Sequence, residues 1–382
     1  MKKLGLGYSL TLMLILRALY SMNWYNVSPL LFKITDFYGV SGSFTGVILS
    51  SFLIGTAIFQ VPSGIIAARI GSKNTALSGM LVMSISVILS VFSSDFLIFL
   101  ISRFFVGLGS AFFFSSGIGV LNDLDNTNYS RNIAAFNTAF SVGGGVGVIS
   151  YSIGILYFNW QSLLLWGGVL TLIFTIAAII LIPESPHANY RSDLIRNVKG
   201  RLTSKPLILL SLSLSGYWGL NFTFEEYEKP FAGILNFPSS ISGLIGGLTL
   251  FAGLLGLIVF KKISLRKPSL ILPVLLLIVS VSIAFQASGI ALYLFYTAVI
   301  GGTLSVILFS LEYSYVVKLE MEQRFVPLGI SIMNAIQIAV GSAITFIFGY
   351  FFATNHYSSW IMLGAISLLF YPLGIRTIKN VS

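Results

Sequence analysis

The run Gln161-Ser-Leu-Leu-Leu-Trp-Gly-Gly-Val-Leu-Thr-Leu-Ile-Phe-Thr-Ile-Ala-Ala-Ile-Ile-Leu-Ile182 contains no charged residue over 22 positions. A hydrocarbon core about 30 Å thick needs about 20 apolar residues at 1.5 Å rise each, so this run is long enough to cross a bilayer as a helix. Comparable runs recur along almost the whole chain. Of its 382 residues 56% are hydrophobic and only 9% charged, against roughly 25% charged in an ordinary soluble domain. A water-soluble fold is excluded, and no large soluble domain has room. The 37 glycines agree, because helices that pack in lipid use small residues to approach closely. Alternating segments of about 10 residues, the mark of a membrane β-barrel, are not visible.

Apolar runs bounded by charge, Gly, Pro or Asn predict helices at 6–32, 43–67, 75–93, 96–121, 132–158 and 161–182. A second set follows at 206–228, 239–260, 268–287, 289–315, 325–352 and 357–376. The start, Lys2-Lys3 followed by an apolar run, has the look of a signal peptide, but Arg17 interrupts the run, and it reads as an uncleaved first helix. Between the sets lies the most polar stretch, with His187, Arg191, Asp193, Arg196, Lys199, Arg201 and Lys205. The expected organisation is a six-helix bundle at 1–183, a linker at 184–205 and a second six-helix bundle at 206–382.

Net charge is +10. With the N-terminus placed in the cytoplasm, all of the 22 basic residues except Lys33, Lys229, Arg17 and Arg103 fall on that side. That distribution is the expected excess of Lys and Arg in cytoplasmic loops, so the charge reports topology and does not call for a nucleic-acid partner. Cysteine is absent, and the two histidines, His187 and His356, fall in loops. Thiol chemistry is therefore excluded, no metal or other cofactor is implied, and nothing points to an enzyme. No GxxxxGK[ST] loop suggests ATP hydrolysis.

The segment Gly64-Ile-Ile-Ala-Ala-Arg69-Ile-Gly71-Ser-Lys73 resembles the GxxxDRxGRR loop of the major facilitator superfamily, with Ala68 where that family has Asp. Helix four, Ile101-Ser-Arg103-Phe-Phe-Val-Gly107-Leu-Gly109-Ser-Ala111, resembles the family's intramembrane Arg followed by small residues. Gly143-Gly-Gly-Val-Gly147 in helix five is similar to the family's glycine-rich fifth helix without its Pro. Trp160 through Trp166-Gly-Gly, leading to Pro183-Glu184-Ser185, is similar to the family's sixth helix and exit. In the second half Gly256 and Lys261 are a shadow of the first loop motif, and Gly341 before Trp360 echoes the glycine run before Trp160. The resemblance implies an all-α integral membrane protein of twelve helices in two six-helix repeats, both termini cytoplasmic. It implies a multi-pass cell-membrane transporter acting by alternating access on a site near the bilayer midplane. It gives Gly64, Arg69, Gly71 and Lys73 a conformational role, with Ala68 weakening the family's cytoplasmic latch, and links Arg103 to proton coupling or structural integrity. For Arg103, lying eight residues into its helix, snorkelling to the outer interface stands as the alternative.

Candidate residues follow from spacing. On helix one Arg17, Tyr20 and Trp24 share a face, and Arg17 lies about 16 Å along it, near mid-depth. A charge there is expected to attract an anionic or zwitterionic group, or else to pair with a carboxylate for stability. Helix seven carries Tyr217, Trp218, Asn221, Phe224, Glu225, Glu226, Tyr227 and Glu228, with Trp218, Asn221 and Glu225 on one face. An apolar setting favours the neutral form of a carboxyl, which makes Glu225 and Glu226 proton-coupling candidates. In the alternative, all three glutamates meet outer water beside Lys229. Asn334 and Gln337 could bind solute or a neighbouring helix. Glu312, Asp123 and Asp125 are expected near the cytoplasmic ends, within reach of loop bases. The partners expected are a small organic solute (a metabolite, an organic acid or a drug-like compound), protons and the lipid bilayer, around a monomeric chain. A non-transporting sensor or scaffold on the same fold is the reading from another class.

Overall fold

The computed structural model describes residues 5–125, 127–184, 198, 200–262, 268–319 and 326–381. Its helices are α1 (Leu6–Trp24), α2 (Leu31–Tyr38), α3 (Thr45–Ile70), α4 (Ser72–Ser90), α5 (Phe96–Leu124), α6 (Tyr129–Gly154) and α7 (Trp160–Leu181). They continue as α8 (Lys205–Ile234), α9 (Ser239–Lys262), α10 (Pro268–Ala284), α11 (Ala291–Leu319), α12 (Val326–Thr354), α13 (Ser358–Leu369) and α14 (Ile375–Val381). Among the described residues eleven segments are long and apolar enough to cross a membrane. The twelfth crossing is α1, whose Ser9, Arg17, Ser21 and Asn23 lower its hydropathy and are all buried. Polar groups on a spanning helix are tolerable where protein, and not lipid, surrounds them. The same holds for α8, the most enclosed of the eleven, with 83% of its apolar stretch buried and a mean hydropathy of only 1.3. By contrast α7, with 33% buried and a hydropathy of 2.5, turns Trp166, Ile173, Ile176 and Ile180 outward.

Helix pairing repeats. The main contacts of the first set, α1 with α6 and α7, α3 with α5, and α4 with α5 and α7, recur six crossings on as α8 with α12 and α13, α9 with α11, and α10 with α11 and α13. The sets meet chiefly through α3 against α12 and α6 against α9.

The expected helix 6–32 is not continuous. Helix α1 stops at Trp24, a 3-10 turn covers Ser28–Leu30, and α2 begins at Leu31. Pro29 has no N–H to give and disfavours a helical residue before it, so the chain breaks there. The expected helix 357–376 likewise ends at Leu369 and resumes after the 3-10 turn Tyr371–Gly374, which holds Pro372. Pro230 lies inside α8, which runs to Ile234 and so past the expected end at 228. Most of the expected linker, including His187, Arg191, Asp193, Arg196 and Lys199, lies outside the described residues, as do Lys2, Lys3, Arg266, Lys267 and Arg324.

Candidate functional site

A cavity of about 220 Å³ lies between the two sets. It begins at the level of Tyr25 and Glu225 and runs along the helices toward the end that holds Leu6, where exposed Asn137 forms part of its rim. Six residues expected from the sequence line it together: Arg17, Tyr20 and Trp24 from α1, Trp218 and Asn221 from α8, and Asn334 from α12. Glu225 also lines it. Tyr217 stands behind the wall, fully buried with its ring 5.4 Å from Phe309, and Gln337 turns away to donate to Glu312 Oε2 at 3.2 Å.

Arg17 is enclosed by aromatic faces. Its guanidinium carbon lies 4.7 Å from the Tyr20 ring, 5.1 Å from Phe114, and 4.5 Å from each of Phe136 and Phe140. Phe136 and Phe140 sit one turn apart on α6, on the face turned to α1. They can approach because Gly143 meets the backbone of Ala18, where a Cβ would collide. Among the described residues no carboxylate forms a salt bridge with Arg17, so the expected alternative of a stabilising pair has no partner there. Its Nε and Nη1 hydrogens have no acceptor and no contact with solvent. Ring contacts of this kind contribute about 0.5–2 kcal/mol each. An unmatched buried donor costs about 1–3 kcal/mol, more when charged, and removing the ion from water costs several kcal/mol more. The cage therefore offsets the burial only in part.

On the facing wall, Glu225 Oε2 accepts from Tyr25 Oη at 2.6 Å and its Oε1 accepts from Asn221 Nδ2 at 2.9 Å. Glu226 and Glu228 are fully buried, which rules out the outer-water alternative for both. Neither carboxyl oxygen of Glu226 has a donor; Arg103 acts on it electrostatically without reaching salt-bridge distance. Arg103 is 2% exposed, donates from Nη1 to Asn26 Oδ1 at 3.2 Å and faces Phe52, so it does not snorkel. Glu228 accepts from the Thr249 hydroxyl. Lys229, expected beside the glutamates, donates instead to the Pro29 carbonyl at 2.8 Å.

Hydrogen bonds joining the two sets gather at the end away from Leu6. Ser28 Oγ donates to the Glu226 carbonyl at 2.5 Å, Tyr227 Oη to Thr45 Oγ1 at 2.9 Å, Ser50 Oγ to the Ser342 carbonyl at 2.9 Å and Ser239 Oγ to the Ser152 carbonyl at 2.7 Å. Gly46 and Gly349 touch there through their backbones. These contacts form a seal that closes the cavity from that side.

In the loop motif, Gly71 has φ +90°, a value that glycine tolerates and L side chains rarely adopt, and it ends α3. Gly64 has open space around it, and Arg69 is exposed and engaged in contacts of its own. Lys73 is buried and forms a salt bridge at 3.0 Å with Glu184 after α7, so this basic residue braces the first set. The expected pairing of Glu312 with loop bases is not found, because Glu312 is 1% exposed and bonded to Gln337. Asp125 accepts hydrogen bonds from Thr127, Asn128 and Asn132, which hold its carboxyl well below the usual carboxylate range and tie the turn between α5 and α6.

Twelve helical crossings in repeated pairings around a central cavity define the fold of a polytopic membrane transport protein. The sequence description of the Major Facilitator Superfamily matches residues 13–320, and the chain belongs to that family. It is 24% identical to human protein spinster homolog 3 over 65% of this chain and 54% of that protein. It is 26% identical to the 4-hydroxybenzoate transporter PcaK of Pseudomonas aeruginosa over 43% of this chain and 38% of that one. The chain thus matches about half the length of these relatives or less. Its fold superposes with a TM-score of 0.80 on the crystal structure of a bacterial homolog to the human lysosomal transporter Spinster in an inward-facing, unoccupied conformation, at 14% identity and 98% coverage of both chains.

Proposed function

We propose that this protein is a secondary transporter that carries a small organic anion with an aromatic or amphipathic body across a membrane by alternating access. Arg17 supports this reading most directly. It is a buried cation without a counter-charge, with two unused N–H donors, set among four aromatic rings on the wall of a central cavity. A carboxylate paired with such a fork makes two charge-assisted hydrogen bonds, while Tyr20, Trp24 and Trp218 receive an apolar body. The relative named for 4-hydroxybenzoate carries a solute of this description.

In this reading the bundles 1–183 and 206–382 rock about the 184–205 linker, with both termini cytoplasmic. Glu225 takes up a proton when the cavity faces one side and releases it on the other, because it shares the cavity with Arg17. Glu226 and Arg103 belong to the outer seal and sense its opening. Gly64, Arg69, Gly71 and Lys73 shape the turn on which α3 and α4 move together.

The test is uptake by the purified chain in proteoliposomes of 4-hydroxybenzoate and of its uncharged methyl ester, with and without an imposed pH gradient. The carboxylate should accumulate and the ester should not. Arg17→Gln should lower carboxylate uptake about 10- to 100-fold, since a hydrogen bond to a charged group contributes about 1.5–3 kcal/mol, while the folded yield holds. Uptake of neither compound, or equal uptake by the variant, would set aside the anion reading. Binding without flux would favour a sensor.

A further inference from the structure

The cavity wall holds a second pattern besides the aromatic cage of Arg17. Five of its lining residues, each at most 9% exposed, carry buried polar atoms with no hydrogen-bond partner, and these atoms divide by sense. On the first set all of them are donors: Arg17 Nε and Nη1, Trp24 Nε1 and, from α3, Gln60 Nε2. On the second set both are acceptors: Asn221 Oδ1 of α8 and Asn334 Oδ1 of α12. The Asn221 amide is held in that orientation because its Nδ2 donates to Glu225 Oε1 at 2.9 Å. Hydroxyls on the same side do not supply the missing donors. Thr249 gives its proton to Glu228, Ser305 to the Gly302 carbonyl and Ser310 to the Val306 carbonyl.

A buried polar atom without a partner is destabilising, and such atoms converging on one cavity are the groups that a bound solute satisfies. A carboxylate only accepts hydrogen bonds, so it matches the donors of the first set and leaves the acceptors of the second untouched. A hydroxyl or amino group at the far end of the same solute matches those. We infer that the solute is two-ended: a small carboxylate whose opposite end carries a hydroxyl or amino donor. Arg17 and Gln60 hold the carboxylate, and the amide oxygens of Asn221 and Asn334 take the donor. This narrows the solute class and rests on the anion reading of Arg17. Because each end is gripped by a different set of helices, such a solute ties the two sets together across the cavity. A carboxylate with an apolar far end engages the first set alone, and so gives the second nothing to close upon.

The experiment compares four benzoates in proteoliposomes of the full chain, with uptake counted above that of protein-free vesicles. The 4-hydroxy and 4-amino compounds carry a donor opposite the carboxylate; the 4-methyl and 4-methoxy compounds do not. The donor-bearing pair should enter about tenfold faster, the fold-change that about 1.4 kcal/mol supplies and that an unmatched buried acceptor accounts for. In Asn221→Leu and Asn334→Leu the ratio should fall toward one, because the oxygen that tells a hydroxyl from a methyl is gone. Should Asn221→Leu fail to fold, Asn334→Leu decides. Equal uptake of all four by the native chain, still dependent on Arg17, overturns this inference and leaves the anion reading standing. A tenfold ratio that persists in both variants overturns the assignment to the two asparagines. Uptake of none of the four overturns this inference and the anion reading together.

Discussion

Arg17 and Glu225 face each other across one cavity, and their opposite hydrogen-bonding states divide their roles. Arg17 has donors to spare, whereas Glu225 has both oxygens engaged, by Tyr25 from the first set and Asn221 from its own helix. The Tyr25 bond crosses between the sets, so opening the seal must break it and change the proton affinity of the carboxyl. Glu225→Gln keeps the shape and removes the titration. We expect it to abolish accumulation driven by a pH gradient while leaving solute exchange at zero gradient within about threefold of the native rate, measured by counterflow in the same vesicles. Gradient-driven accumulation at the native level would show the carboxyl to be only structural. Spacing was enough to put Arg17, Tyr20 and Trp24 on one face of α1 and Trp218, Asn221 and Glu225 on one face of α8, because a helical period of 3.6 fixes which residues share a face. It was not enough to separate Glu225 from Glu226 and Glu228. Those three differ in what lies opposite, Tyr25, Arg103 or Thr249, and these partners come from other helices.

Among helices, the two sets use the same packing device. In the first, Gly107 of α5 lies against the Phe52 carbonyl of α3; in the second, Gly302 of α11 lies against the Thr249 carbonyl of α9. At both places a Cβ would collide with a backbone oxygen that cannot move aside without parting the helices. Gly107→Ala and Gly302→Ala should each destabilise by roughly 1–3 kcal/mol, the usual range for overpacking, and by similar amounts. The check is unfolding temperature in detergent, and no loss at either position would show that the helices have slack. By contrast, Gly64→Ala should be neutral, since nothing lies near it. Twelve crossings and their approximate ends were legible because a hydrophobic span has a minimum length. The break at Pro29 was missed because the polar residues on both sides of it are buried in protein, and so resemble neither loop nor lipid-facing helix. The glycine pairs were missed as a repeat because their neighbours in sequence differ; only the carbonyls they meet make them equivalent.

For the whole molecule, the cavity continues toward the Leu6 end, while the other end is closed by the bonds from Ser28, Ser50, Tyr227, Lys229 and Ser239. The chain has no cysteine, so any one introduced is the sole target for a thiol reagent. Asn137→Cys, at the exposed rim, should react with a membrane-impermeant maleimide from the cytoplasmic side of oriented vesicles. Thr45→Cys, in the seal, should react from neither side at rest. Labelling of position 137 only from outside would invert the proposed orientation. The loop bases predicted that orientation by electrostatics alone. Which end of the cavity is closed was beyond such reading, because it depends on contacts between residues 87 to 292 positions apart.

Four of the acceptors in that seal, at Pro29, Ser152, Glu226 and Ser342, are main-chain carbonyls. No codon specifies them, so point mutation can remove a donor but can never erase its acceptor. Divergence in such a gate is confined to one partner of each bond, and a lost serine can be restored by any later substitution that brings a hydroxyl or amine to the same turn. Descendants of this chain could thus exchange the chemistry of their cavities freely while inheriting the way they shut.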